Sequence, residues 1–230
     1  MVNLIDAPGT AEADWRAWPG LRDLPALDFA GWRRVAVVAA HPDDEVLGAG
    51  GLLAALAGLG AHVRLVAVTD GEASHPHLDP AGVAATRIAE TRAALRHLAP
   101  CEVVRLGMPD AGVDAADLAA RLDGLVRGFD ACLAPWEHDA HRDHEAAGRA
   151  ALDAGAGQGV PVLRFPIWAW HWARPADPRV PWDRARRVPL TAAVRDRKEA
   201  AIGCFASQLG TILPPETVAH FTRDHEVFLL

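Results

Sequence analysis

Val35-Ala36-Val37-Val38-Ala39-Ala40-His41-Pro42-Asp43-Asp44-Glu45-Val46-Leu47-Gly48-Ala49-Gly50-Gly51 is the stretch that decides how this chain folds. Its first six residues are apolar without a break, the pattern of a strand covered on both faces. The run stops at His41-Pro42, and three acids come next in succession. Carboxylates crowded at the tip of a buried strand repel one another unless a cation or solvent neutralises them. A histidine among them suits zinc or another first-row divalent metal, whereas an all-oxygen cluster would suit magnesium or calcium. The competing reading is a helix cap, since acids at a helix N-terminus satisfy free backbone N–H groups.

Outward from this stretch the same punctuation repeats. Short β-branched runs predict strands over residues 34–40, 62–69, 102–106, 131–134 and 160–165. Ala/Leu/Arg-rich stretches between them predict helices over 47–59, 81–98, 115–127 and 144–154. Alternation of this kind builds parallel βαβ units. The expected fold is therefore α/β, a Rossmann-like doubly wound, mostly parallel sheet in three αβα layers, read as a single domain over 1–230. Ligands gather at the carboxyl ends of such strands, and polar clusters stand there at 41–45, 70–77 and 137–144. A Trp- and Pro-containing leader, 1–31, precedes the first strand. A Trp/Pro/Arg-rich segment of about 166–190 reads as an irregular lid or interface, helical spacing resumes over 195–208, and 225–230 reads as a last strand. Trp168, Trp170 and Trp172 alternate as in a strand; they would stack on a substrate or be buried in the core or against a second copy in a homo-oligomer.

Bulk properties narrow the function. Half of the 230 residues are hydrophobic, enough for a sizeable core. With 23 basic against 30 acidic residues the net charge is −7, which argues against nucleic acid as a partner. Cys101, Cys132 and Cys204 are odd in number and far apart, fitting reduced thiols in a cytoplasmic protein. Neither a signal peptide nor a membrane span is expected.

Trp136-Glu137-His138-Asp139-Ala140-His141-Arg142-Asp143-His144 places three histidines and three acids after one predicted strand and at the opening of a helix. A catalytic zinc site takes three protein ligands and leaves one position open. His41, Asp44 and one of these histidines meet that count.

At this point the chain resembles a known family. Ala40-His41-Pro42-Asp43-Asp44-Glu45 with Gly50-Gly51 resembles the first signature of the PIG-L/LmbE-like zinc-dependent N-deacetylases, and His141-Arg142-Asp143-His144 resembles their H-x-D-H motif. Thr69-Asp70-Gly71-Glu72, Arg87-Ile88-Ala89-Glu90 and Leu106-Gly107-Met108-Pro109-Asp110 agree as well, with weaker similarity over 198–208. The resemblance implies a hydrolase that removes an acetyl group from an N-acetylglucosaminyl-type glycoconjugate. It implies zinc (Zn2+), or another first-row divalent metal, held by His41, Asp44 and His144. It further implies Asp43 as general base, His141 as oxyanion stabiliser oriented by Asp143, and Arg87 and Asp110 as sugar contacts, although Arg87 could equally pair with Glu90. Glu45 reads as a helix-capping acid, and Gly48, Gly50 and Gly51 as close helix–sheet packing. Some relatives carry a tyrosine two residues before the first histidine of H-x-D-H; here Asp139 stands in that place, and the chain has no tyrosine. Alternatives are an amidase acting on a larger N-acyl or thiol conjugate, a nucleotide- or S-adenosylmethionine-binding Rossmann protein, and a non-catalytic metal-binding relative.

Overall fold

The computed structural model describes residues 4–230; the first three residues of the expected leader lie outside the described residues. In chain order it contains α1 (Glu12–Ala17), α2 (Pro19–Arg22), β1 (Arg34–Ala39), α3 (Asp44–Gly58), β2 (His62–Ala67), α4 (Pro80–Leu98), β3 (Cys101–Arg105), α5 (Ala115–Val126) and β4 (Ala131–Pro135). Then come α6 (Arg142–Gln158), β5 (Val162–Phe165), α7 (Ala169–Trp172), β6 (Ala185–Pro189), α8 (Ala192–Ile202), α9 (Pro215–Val218) and β7 (His225–Leu229).

The strands form one sheet in the order β3-β2-β1-β4-β5-β7-β6. The first five are mutually parallel, and β7 runs antiparallel to both β5 and β6. Strand order reverses between β1 and β4, so the loops after these two strands leave in opposite directions and open a crevice between them. Alternation along β1 sends Val35, Val37 and Ala39 into one core with α3, α4 and α8, and Ala36, Val38 and Ala40 into the other with α5 and α6. Burial of each large apolar side chain in these layers contributes roughly 1.5–3 kcal/mol.

Two glycines on α3 bring it close to its neighbours. A β-carbon on Gly48 would stand 2.1 Å from the Phe165 ring, and one on Gly51 would stand 2.5 Å from Leu190. Gly51 also sits where a buried ion pair enters the helix. Lys198 Nζ donates to the Leu47 carbonyl (2.8 Å) and to Glu226 Oε1 (2.7 Å), and the Glu226 carboxylate accepts the Gly51 (2.6 Å) and Leu52 (2.8 Å) N–H groups. The glycines serve packing, as the sequence suggested.

The leader packs on its own chain: Trp15 is fully buried, with its ring 5.1 Å from that of Trp170, and the Leu27 N–H donates to the Arg187 carbonyl while the Arg187 N–H donates to the Pro25 carbonyl, covering the β6 edge. Two expectations are corrected here. The segment 166–190 is not wholly irregular, because it contains α7 and supplies β6. Trp170 and Trp172 lie on a helix rather than a strand; Trp170 enters the core and Trp172 stacks on Trp136.

Glu12 ties this leader to the far end of the chain, accepting from Arg223 Nη2 at 2.6 Å and from His220 Nδ1 at 2.8 Å. Burial raises its pKa, but these bonds outweigh burial and hold the carboxyl down at about 2. A depressed folded-state pKa contributes stability that is present above the unfolded value of 4.5 and lost as pH falls through about 2. Glu12→Gln is expected to be less stable than wild type by roughly 1–2 kcal/mol near neutral pH after solvent screening. Urea melts should show the gap closing between pH 4.5 and pH 2; a pH-independent gap would assign the loss to packing alone.

Candidate metal and active site

β1 ends in a sharp turn at Asp43, whose φ of 123° is unusual for a residue with a side chain. Such a backbone costs on the order of 1–3 kcal/mol and needs support from its surroundings. The Asp43 N–H donates to Glu45 Oε2 (3.2 Å), and the His41 N–H donates to Asp44 Oδ2 (2.9 Å). Helix α3 begins three residues earlier than predicted, so Asp44 stands on a helical first turn. Glu45 does reach back to a free backbone N–H, but it is wholly buried and its Oε1 has no partner. Burial, seconded by Asp43 and Asp44, pushes its pKa up to about 8, so it is protonated at neutral pH.

From the β4 side, Asp139 organises the rest of the cluster. Its buried carboxylate accepts the N–H groups of Ile167 (3.0 Å), Trp168 (2.9 Å) and Ala169 (2.8 Å), and takes His144 Nδ1 at 2.7 Å. His144 therefore carries its proton on Nδ1 and turns a lone pair outward from Nε2. On His41, Nε2 lies 3.1 Å from Asp110 Oδ1 and 3.3 Å from Asp143 Oδ2. Both carboxylates are acceptors, so Nε2 bears the proton and Nδ1 the lone pair.

These two ring nitrogens, the ones left to bind a cation, face each other. His41 Nδ1 and His144 Nε2 are 3.3 Å apart, and the Asp44 carboxylate lies 3.7 Å from the first and 3.3 Å from the second. Two imidazoles and one carboxylate converging in a buried space are a donor set that suits zinc or a similar first-row metal. The donor set fits the group that the sequence implies. His141 also brings a ring nitrogen within 4.8 Å of those of His41 and His144, while His41, Asp110 and Asp143 form a second such group. The oxygens of that second group already accept the Ala73, Ala111 and Val113 N–H groups and the His41 ring N–H, which favours the first.

Electrostatics sort the remaining side chains. Burial opposes charge on His41 and His144, yet the surrounding carboxylates hold them up at about 9 and about 10, so a bound cation would take the place of the proton that each facing nitrogen otherwise carries. Burial would raise Asp44 too, but His144 and His41 keep it well below the usual carboxylate range. Asp43 is pushed up to about 6, because burial and the Asp44 charge outweigh Arg87. His141 is driven down to about 3 by burial and by the two neighbouring imidazoles, so it is neutral.

The pocket over this cluster holds about 200 Å³ and is lined by His41, Asp43, Asp44, Arg87, Asp110, His141 and His144 together with Trp168, Gln208 and Ile212. All the residues expected at the site are thus gathered except Asp143, which lies directly behind His41. Two expected pairings change. Asp143 pairs with His41 and the Ala111 and Val113 N–H groups rather than orienting His141, whose Nδ1 has no partner. Arg87 donates to the Pro42 carbonyl (2.6 Å) and Asp43 Oδ2 (3.2 Å), and Glu90 instead holds Ser207 (2.7 Å). Arg87 thereby positions the acid, and its sugar-contact role falls to whatever reach its unpartnered Nε retains. Gln208, wholly buried with Oε1 unpartnered, is a site residue that sequence reasoning misses; its place in the weakly similar 198–208 stretch is the only signal.

A parallel sheet whose switch point gathers two histidines and a carboxylate beside a separate buried acid defines a three-layer α/β protein with a candidate metal centre. The chain belongs to the PIG-L family, described as GlcNAc-PI de-N-acetylase, whose model matches residues 36–155, more than half of its length. Among curated relatives, a 1D-myo-inositol 2-acetamido-2-deoxy-alpha-D-glucopyranoside deacetylase of Kineococcus radiotolerans is 29% identical, covering 78% of this chain. The chain spans only 57% of that relative's length. Among solved structures, a deacetylase triple mutant (Orf2*T) of the teicoplanin biosynthetic pathway superposes with a TM-score of 0.70 at 22% identity, covering 86% of this chain and 96% of the other. GalB, the 4-carboxy-2-hydroxymuconate hydratase of Pseudomonas putida KT2440, reaches 0.64 at 23% identity, covering 83% of each chain. At such identities the likeness speaks for the fold, and the two differing activities show that the fold does not choose the reaction.

Proposed function

We propose that this protein is a metal-dependent hydrolase that removes the acetyl group from an N-acetylglucosaminyl-type conjugate. The observation that carries this reading is the facing pair of imidazole nitrogens, with the Asp44 carboxylate beside them, in a pocket that Asp43 also lines. Family membership and the name of the curated relative support the substrate class. A divalent ion such as zinc would supply Lewis acidity there, lowering the pKa of bound water toward about 7 and polarising an amide carbonyl. His41, Asp44 and His144 would hold it, with Asp110 and Asp143 fixing the ring of His41 and Asp139 that of His144.

Asp43 is the base that takes the proton of the attacking water and returns it to the departing amine. A carboxyl near pKa 6 serves both directions, and Arg87 fixes the carboxyl group through Oδ2. His141, neutral, offers a ring N–H to the developing oxyanion in place of the tyrosine that some relatives use. Asp139 is committed to four hydrogen bonds and takes no part in proton transfer.

Incubation of the zinc-loaded protein with N-acetylglucosaminyl conjugates should release acetate and free amine in equal amounts. Exhaustive chelation should abolish turnover and added zinc restore it. Release of a longer acid from N-acyl analogues, with the acetyl forms inert, would favour the amidase reading. Among the described residues no helix is long and apolar enough to cross a membrane, and the three unpaired cysteines support a reducing, cytoplasmic setting.

A further inference from the structure

At about 200 Å³ the catalytic pocket is smaller than the roughly 300–1,000 Å³ of sites that enclose a drug-sized ligand. A substrate larger than one sugar must continue outside it. Beside it lies a groove of about 450 Å³ lined by His75, Leu78, Asp79, Val83, Thr86 and Ser207. Three pairs of consecutive residues join the two spaces. Ser74, Arg87 and Gln208 line the catalytic pocket, while their neighbours His75, Thr86 and Ser207 line the groove.

The groove's chemistry is selective. Most of its polar groups are already engaged inside the protein: Asp79 caps the Gly82 N–H (3.0 Å), Thr86 Oγ1 donates to the Gly82 carbonyl (2.9 Å), and Ser207 is held by Glu90. His75 Nδ1 lies 3.0 Å from Ser74 Oγ. Beside the second carboxylate oxygen of Asp79, what the groove offers a ligand is therefore mainly the apolar side chain of Leu78, 59% exposed. Exposure points the same way. The large hydrophobic side chains exposed among the described residues are Leu4, Leu59, Leu78, Val103 and Ile212, and two of these, Leu78 and Ile212, flank this cleft. Singly exposed apolar residues are ordinary, but of these two Ile212 lines the catalytic pocket and Leu78 the groove beside it.

We infer that the groove is an aglycone subsite, and that the physiological substrate carries an apolar or amphipathic group on the acetamido sugar rather than a polyol. This rests on the deacetylase reading for the sugar, while the groove's preference is a property of its own walls. Steady-state kinetics on N-acetylglucosamine, its inositol conjugate and its hexyl glycoside test it, alongside calorimetric binding of hexyl glucosaminide and of glucosamine to the zinc-loaded protein. The hexyl glycoside should show a KM at least tenfold below that of the inositol conjugate with similar kcat, the mark of binding energy spent outside the reacting centre. Hexyl glucosaminide should bind at least tenfold more tightly than glucosamine. Leu78→Asp should erase both ratios, whereas Leu59→Asp, exposed on the far end of α3, should preserve them. Equal KM values for the two glycosides, tighter use of the inositol conjugate, or ratios unmoved by Leu78→Asp overturn the subsite. If no acetamide is cleaved, the functional reading fails and the calorimetric ratio alone decides the groove.

Discussion

Asp43→Asn is expected to retain stoichiometric metal and lose activity by 10²- to 10⁴-fold, the range that a positioned general base contributes (about 3–5 kcal/mol). The substitution keeps size and hydrogen-bonding shape while removing the proton acceptor. Because Asp43 stands beside the three converging donors without belonging to them, the loss should fall on kcat, with metal content and KM near wild type. The pH dependence has a defined sign. A base acts when ionised, so wild-type kcat/KM should rise with pH through the ionisation of Asp43, at or below about 6 since any bound cation lowers it further. The variant should lose this acid limb. Metal analysis with kinetics checks both parts, and an Asp43→Asn protein of unchanged turnover would remove Asp43 from the mechanism.

Lys198→Met should destabilise the protein by about 3–5 kcal/mol, the usual consequence of stranding one member of a buried ion pair. Removing the ammonium leaves the Glu226 carboxylate with the Gly51 and Leu52 N–H groups as its hydrogen-bond donors and takes one donor from the Leu47 carbonyl. Lys198→Met/Glu226→Leu should recover part of the loss, because no lone charge remains. Urea unfolding measures both, and a single-variant loss below about 1 kcal/mol would mean that water or a side-chain shift replaces the ammonium. The site is also affected, since Leu47 lines the pocket and shares a helix with Asp44.

The parts of this architecture that are readable from sequence are those set by local pattern. Apolar runs ending in acids and histidines mark β1 and β4, and their expected ends differ from the observed ones by a single residue. What resists reading depends on partners distant in the chain. The period-two tryptophans suggest a strand, but Asp139, some thirty residues upstream, accepts the N–H groups that open α7 and so stabilises a helical turn there. Asp139 itself looks in the sequence like a mere absence of tyrosine. Sequence proximity pairs Asp143 with His141, whereas the loop through Ala111 and Val113 turns it toward His41. The Lys198–Glu226 pair joins α8 to β7 across α3, and no spacing within either element announces it.

The four bonds on Asp139 make the tryptophan rim and the His144 imidazole a single mechanical part. On the proposed reading, an engineer who swaps residues 166–172 to admit a different substrate would also be retuning how firmly His144 is set to hold an ion, so selectivity and metal retention would not be optimised independently at this edge of the cleft. The opposite wall, built from the 74–83 loop and the start of α4, makes no such bond to His144 and is the freer place to redesign.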